Sequence, residues 1–143
     1  MQNILNIKYK LEEQAKSEFM LANRKLQEEE EKLKQFQQRK YGYEEAVRQL
    51  LINDLQLDRI KEAREAVVRM EEFIKLQLAC VEKAQKEVEI KAAKLTEIMQ
   101  ERKAQEKLKE KSFENFLQEE NAKESKEIDE LVSFTYGKKQ REE

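Results

Sequence analysis

Residues 60–98 read IKEAREAVVRMEEFIKLQLACVEKAQKEVEIKAAKLTEI, and their spacing decides the fold. Ile60, Val67, Ile74, Val81, Val88 and Leu95 recur every seven residues. Ala63, Met70, Gln77, Ala84, Lys91 and Ile98 follow three positions behind. A helix with 3.6 residues per turn gathers these positions into one stripe, the a and d seam of a coiled coil. β-branched residues dominate the first set, which suits a two-stranded seam. Gln77 and Lys91 interrupt the second set, where a polar residue costs stability but fixes which partner positions can meet.

A matching stripe precedes it. Ala15, Ala22, Glu29, Phe36, Tyr43 and Leu50 repeat at seven, with Phe19, Leu26, Leu33, Lys40 and Val47 four residues behind. Upstream, Ile4, Ile7, Leu11 and Ala15 fit one eleven-residue unit, which predicts a local relaxation of the supercoil. Glu12 with Lys16, Glu28 with Lys32 and Glu30 with Lys34 stand one helical turn apart. Between the stripes, Arg48–Arg59 is too densely apolar for one seam, and Asn53-Asp54 is its best turn signal.

Composition agrees. Ala, Glu, Lys, Arg and Leu supply 83 of the 143 residues, with no Pro and only Gly42 and Gly137 as glycines. With 38% hydrophobic and 42% charged residues, the chain suits a two-helix seam better than a globular core. The expected fold is all-α: a long two-helix antiparallel coiled-coil hairpin with an overhanging C-terminal helix. It forms a single domain over 1–143, with arm one at about 2–52, the turn at about 53–58, arm two at about 59–136 and a frayed tail at 137–143. The competing architecture is one unbroken helix about 200 Å long, at ~1.5 Å per residue, dimerising in parallel.

In the hairpin, residue i faces roughly residue 108 − i, so Phe36 lies near Glu72 and Tyr41 near Val67. Beyond about Leu108 the second arm has no partner. The segment still shows helical spacing through Phe113, Phe116, Leu117, Ile128, Leu131 and Val132, and Gly137 is a candidate helix stop. An amphipathic helix without its own partner is a candidate binding element. Phe36, Tyr41, Tyr43, Phe73 and Leu78 form a second candidate surface on the turn-side half, with Leu76 and Cys80 nearby. For Phe36 and Tyr43 alone, the plainer alternative is a widened seam. Gly42 marks a close approach or a flexible point.

With no His, two isolated Gly and one Cys, the chain cannot build His-based acid–base chemistry, a glycine-rich phosphate loop or a usual zinc site. The expectation is no enzyme activity, no cofactor and no metal. Carboxylates, including the run Glu28–Glu31, are expected to be solvated and to titrate normally. The net charge of −2 argues against nucleic acid as the main partner. Nothing resembles a signal peptide or membrane span, and the lone Cys80 fits a reducing cytosol.

The stretches LNIKYKLEEQAKSEFMLANRKLQEEEEKL, MEEFIKL, KLTEIMQERKAQEKL and FENFLQEENAKESKEIDELVSFTYGK resemble the flagellar export protein family FliJ across essentially the whole chain. EENAKESKEIDELVSF is the least generic of them. The resemblance implies an antiparallel coiled-coil hairpin of the flagellar type III export apparatus, similar to the rotor stalk of F- and V-type ATPases. It implies a non-catalytic coupling role at the cytoplasmic face of the cell membrane, with membrane contact only through partners. The end bearing both termini would bind the hexameric export ATPase through Ile4, Ile7, Leu108, Phe113, Phe116 and Leu117. The end near the turn would contact the cytoplasmic domain of the export gate, with Phe36, Tyr43 and Phe73 matching the family's apolar gate surface. Arg39 stands where some relatives carry an aromatic. Export chaperones are the third implied partner. Relatives often carry a short segment before the start matching MQNIL, which leaves Met1 open as an internal or truncated start. The rival readings are the equivalent stalk of a virulence-type secretion system, and a structural scaffold without an ATPase partner.

Overall fold

A computed structural model describes residues 2–53 and 56–142, with side chains through residue 138. Two helices account for nearly all of it: α1 (Gln2–Asn53) and α2 (Leu57–Glu142). They pack against each other as a helical hairpin, and no strand occurs among the described residues. Asn53 closes α1, its Nδ2 donating to Gln49 Oε1 at 3.0 Å. The expected turn falls partly on Asp54 and Leu55, which lie outside the described residues. α2 opens when the Ile60 N–H donates to the Gln56 carbonyl at 3.1 Å, and Asp58 in its first turn favours the positive end of the helix dipole.

The chain divides into two units. In the larger, Lys10–Ile98, the seam of α2 follows the heptads: Ile60, Met70, Gln77 and Ala84 are buried, while Ala63, Val67, Ile74, Val81, Val88, Lys91, Leu95 and Ile98 are half-buried. From α1, Ala15, Ala22 and Glu29 are buried, and Phe19, Leu26, Leu33, Phe36, Lys40, Val47 and Leu50 are half-buried. The cross-helix pairs run antiparallel. Glu18 Oε2 meets Lys91 Nζ at 3.4 Å, Glu29 meets Gln77, and the rings of Phe36 and Phe73 stand 5.9 Å apart. Each partner lies one or two positions from where the 108 − i rule puts it.

The polar seam residues are complemented across the hairpin. Gln77 Nε2 donates to the Glu29 carboxylate at 2.5 Å and to its carbonyl at 2.8 Å, and Lys25 closes on the same carboxylate at 2.8 Å. A parallel in-register dimer would instead set Glu29 against Glu29 and Lys91 against Lys91, burying like charges. This pattern is the physical reason the chain pairs with itself. Hydrogen bonds from Lys25 and then Gln77 hold the Glu29 carboxyl below its ordinary value of 4.5. Lys91, foremost by hydrogen bonding, lowers Glu18 likewise. Not every carboxylate is therefore a normally titrating surface group, and the run Glu28–Glu31 has one buried member.

A depressed folded-state value means the stabilisation is present above the unfolded value and lost as pH falls through the folded one. Glu29→Gln is therefore expected to melt below wild type at neutral pH, by about 5 °C. The gap should close as pH drops below 4.5. Thermal melts followed by circular dichroism read this, and a gap that stays constant to acid pH would contradict the ionised pairing.

In the smaller unit, the chain up to Tyr9 packs against the chain from Met99 onward. Leu5 is 4% exposed, whereas Ile4 is 47% and Ile7 58% exposed. The same offset continues in the larger unit, where Glu12 is 5% and Leu11 41% exposed. The expected eleven-residue unit is thus corrected: Leu5, Lys8, Glu12 and Ala15 carry the heptad unbroken to the start of α1. Spacing wins over apolarity because the polar members have partners. Lys16 lies 3.6 Å from Glu12, and Lys8 lies 2.8 Å from Glu101. Lys32 reaches Glu29 at 3.9 Å, a pairing the expected Glu28–Lys32 register did not anticipate.

Gly137 does not stop the helix. α2 runs through Gly137 to Glu142, and no described glycine takes the positive φ of a left-handed cap. The sequence that follows, Lys-Lys-Gln-Arg-Glu, holds no helix breaker. A Cβ at Gly42 would meet nothing within 4 Å, so no close approach requires that glycine.

Candidate partner-binding surfaces

Two surfaces expose more apolar side chain than a paired helix needs. In the larger unit, Phe36 leaves the seam edge to meet Phe73 in a tilted ring pair, 33° between planes, and Phe73 remains 51% exposed. The structure thus joins two of the five residues predicted here. Tyr41, Tyr43 and Leu78 are exposed, and no ring contact joins them to that pair among the described residues. Tyr43 sits at a seam position yet stays exposed, so it borders the seam and does not fill it.

Helix geometry separates Leu78 from Phe73. Positions five apart point about 140° away from each other, so the two flank the seam on opposite sides. Leu76, three residues from Phe73 and 66% exposed, shares its face far better. Cys80, seven residues on, is also exposed along that face. Three- and four-residue spacing from Phe73 was the signal that could have placed Leu76 in the candidate set.

The second surface belongs to the smaller unit. Tyr9 Oη donates to the Glu106 carboxylate, which also accepts from Arg102 Nη1 at 2.9 Å, and the Arg102 guanidinium lies 5.4 Å from the Tyr9 ring centroid. Lys109 Nζ donates to Gln2 Oε1. The hydrogen bond to Glu106, with desolvation behind it, raises the Tyr9 phenol above its ordinary value, while the same bond lowers Glu106. This polar clasp ties the first turns of α1 to α2. Reading apolar positions alone did not single out Tyr9 or Arg102.

From Lys107 through Tyr136 every residue is exposed. Leu108, Phe113, Phe116 and Leu117 are between 43% and 61% exposed, and Ile128, Leu131 and Val132 between 58% and 64%. Phe113 borders a shallow groove of about 530 Å³ with Gln2, Leu5 and Tyr9. The structure thus places Phe113 beside the start of α1, while Ile4 and Ile7 lie on α1 faces turned away from the seam. All six residues predicted for this surface present apolar area to solvent.

No group of three or more His, Cys, Asp or Glu side chains suited to a metal ion occurs among the described residues. No described helix is long and apolar enough to cross a membrane. What the surfaces offer is exposed aromatic and aliphatic area on helical faces, the usual substance of protein–protein contact.

Known proteins supply the context. No curated protein and no solved structure matches the chain. The family model described as flagellar FliJ protein matches residues 1–141 of the 143. A match of that extent, on a two-helix hairpin whose seam and unpaired C-terminal segment fit the expected architecture, shows that the chain belongs to the FliJ family of non-enzymatic, coiled-coil proteins associated with flagellar protein export.

Proposed function

We propose that this chain is a stalk and coupling component that links the hexameric export ATPase to the cytoplasmic domain of the export gate and assists export chaperones. It would work in the cytoplasm at the inner face of the cell membrane, at the flagellar base. The observation that carries this reading is the stretch Lys107–Tyr136, exposed throughout and studded with apolar side chains, in a member of an export family. Ile4, Ile7, Leu108, Phe113, Phe116 and Leu117 would engage the ATPase ring. Phe73 with Phe36, Tyr43 and Tyr41 would serve the gate, and Leu78, across the seam from Phe73, would contribute less. A helix that gains little stability from its own chain gains most from a partner's groove. The chain would contribute no chemistry, leaving hydrolysis to the ATPase.

The test is the rate of ATP hydrolysis by the purified export ATPase with and without this chain, paired with co-purification. The expected result is binding with a several-fold stimulation, both lost in Phe113→Ala with Phe116→Ala. Absence of binding and stimulation by the wild-type chain would favour a scaffold without an ATPase partner.

A further inference from the structure

The start of α2 carries a surface that the reading above leaves unused. Leu57, Ile60, Lys61, Arg64, Val68 and Arg69 line an open groove of about 610 Å³. Leu57 is 79% and Val68 54% exposed, so its apolar floor faces solvent. Lys61, Arg64 and Arg69 form no ion pair among the described residues, and Glu65 is the one carboxylate in the lining. An adjoining groove of about 430 Å³ extends it along Val47 and Val67, and its lining adds Arg48, paired with Glu45 at 2.5 Å, and Glu44, paired with Lys40 at 3.7 Å. The surface is apolar at its centre and net positive at its edges.

The segment 108–136 has the opposite character. Its aromatic and aliphatic side chains are exposed, and between Phe113 and Tyr136 it carries seven carboxylates against Lys123 and Lys126. Among the described residues these carboxylates form a single ion pair, Glu120 with Lys123 at 4.0 Å, within the segment itself. A solvated helix of this kind draws little stability from its own chain.

From this complementarity we infer that a second copy of the chain docks its C-terminal segment, residues 108–136, into the groove lined by Leu57, Ile60, Lys61, Arg64, Val68 and Arg69. Unlike surfaces attract: apolar area meets apolar area, and the acidic flanks meet free guanidinium and ammonium groups. Like surfaces repel, because two C-terminal segments would set acid against acid and two grooves base against base. The contact is therefore heterologous, and each added copy leaves one groove and one segment open for the next. Because the segment is also the one proposed for the ATPase, self-association would cover it in copies not yet bound to the ring.

The experiment is sedimentation velocity on the full chain over a wide concentration range at low and high salt. The expected result is a weight-average mass that rises with concentration and falls with added salt. Arg64→Glu with Arg69→Glu should weaken association about tenfold or more, and Glu124→Arg with Glu127→Arg should do the same. Mixing the two charge-reversed proteins should restore association, since each then meets an opposite surface. All four sites are exposed, and unchanged helicity by circular dichroism verifies folding. A mass that stays monomeric throughout would overturn the inference. So would association that either variant leaves intact, or variants that do not rescue each other. Stimulation of the ATPase by the Arg64→Glu, Arg69→Glu protein reports on the stalk reading separately, because none of its proposed ATPase contacts is altered.

Discussion

Replacing Phe73 and Tyr43 together by Ala is expected to lower affinity for the cytoplasmic domain of the export gate by about thirtyfold or more, without changing helicity. Phe73 leaves half its area in solvent, and Phe36 packs on its ring at 5.9 Å, so the exposed ring is held in place before a partner arrives. An aromatic group presented this way loses little further freedom on binding. Truncating such anchors typically costs ~2 kcal/mol or more. Neither side chain is buried in the seam, so the coiled coil should tolerate both changes. Isothermal titration with the gate domain checks affinity, and circular dichroism checks the fold. Leu78→Ala serves as the contrast: standing across the seam from Phe73, it should change affinity by much less. Equal losses at Leu78 and Phe73 would mean that the gate grips both flanks.

The largest effect on stability is expected from Met70→Asp. Met70 is 5% exposed at a seam position, and Asp there would bury a charge with no built partner. The cost is about 4 kcal/mol or more, a large part of the total stability of a single domain. Leu76→Asp introduces the same side chain into the same helix at a site 66% exposed, so it carries the same loss of helix propensity without the burial. Its expected cost is within about 1 kcal/mol. Urea melts of the two variants read the difference between seam and surface. Similar melts would deny that the heptad positions hold the helices together.

The second arm was legible in the sequence because a strict interval of seven leaves little room for another reading. Ile60 through Ile98 take the seam positions that spacing assigned them, and the pairing rule located Phe73 opposite Phe36 within one residue. The start of α1 was not legible from apolarity. Ile4, Ile7 and Leu11 look like a stripe, yet the seam takes Leu5 and Glu12, because a carboxylate with a cation beside it can be buried at tolerable cost. Spacing put Glu29 on the seam stripe while its acidic run read as solvated; the partners that allow its burial are Lys25, one turn away, and Gln77, 48 positions away. Leu78 was grouped with Phe73 by closeness in sequence, whereas angular position on the helix decides which residues share a face. The groove at Leu57–Arg69 has no signature in sequence, since it comes from placing exposed Leu57 and Val68 beside buried Ile60 in three dimensions.

Both proposed surfaces depend on one claim, that α1 and α2 of the same chain pair antiparallel in this register. The register brings Phe36 to Phe73 and leaves Lys107–Tyr136 exposed. The direct measurement is a pulsed electron–electron distance between spin labels at Arg24 and Lys86, both exposed, in a Cys80→Ser background and diluted with excess unlabelled protein. The hairpin predicts one distribution within roughly 25 Å, from helix axes ~8–10 Å apart plus the label arms, unchanged by dilution. A parallel dimer of unbroken helices would place the same two labels of one chain about 90 Å apart, at ~1.5 Å per residue. A long intramolecular distance, or a short one that vanishes on dilution with unlabelled chain, would contradict the hairpin and the two surfaces built on it.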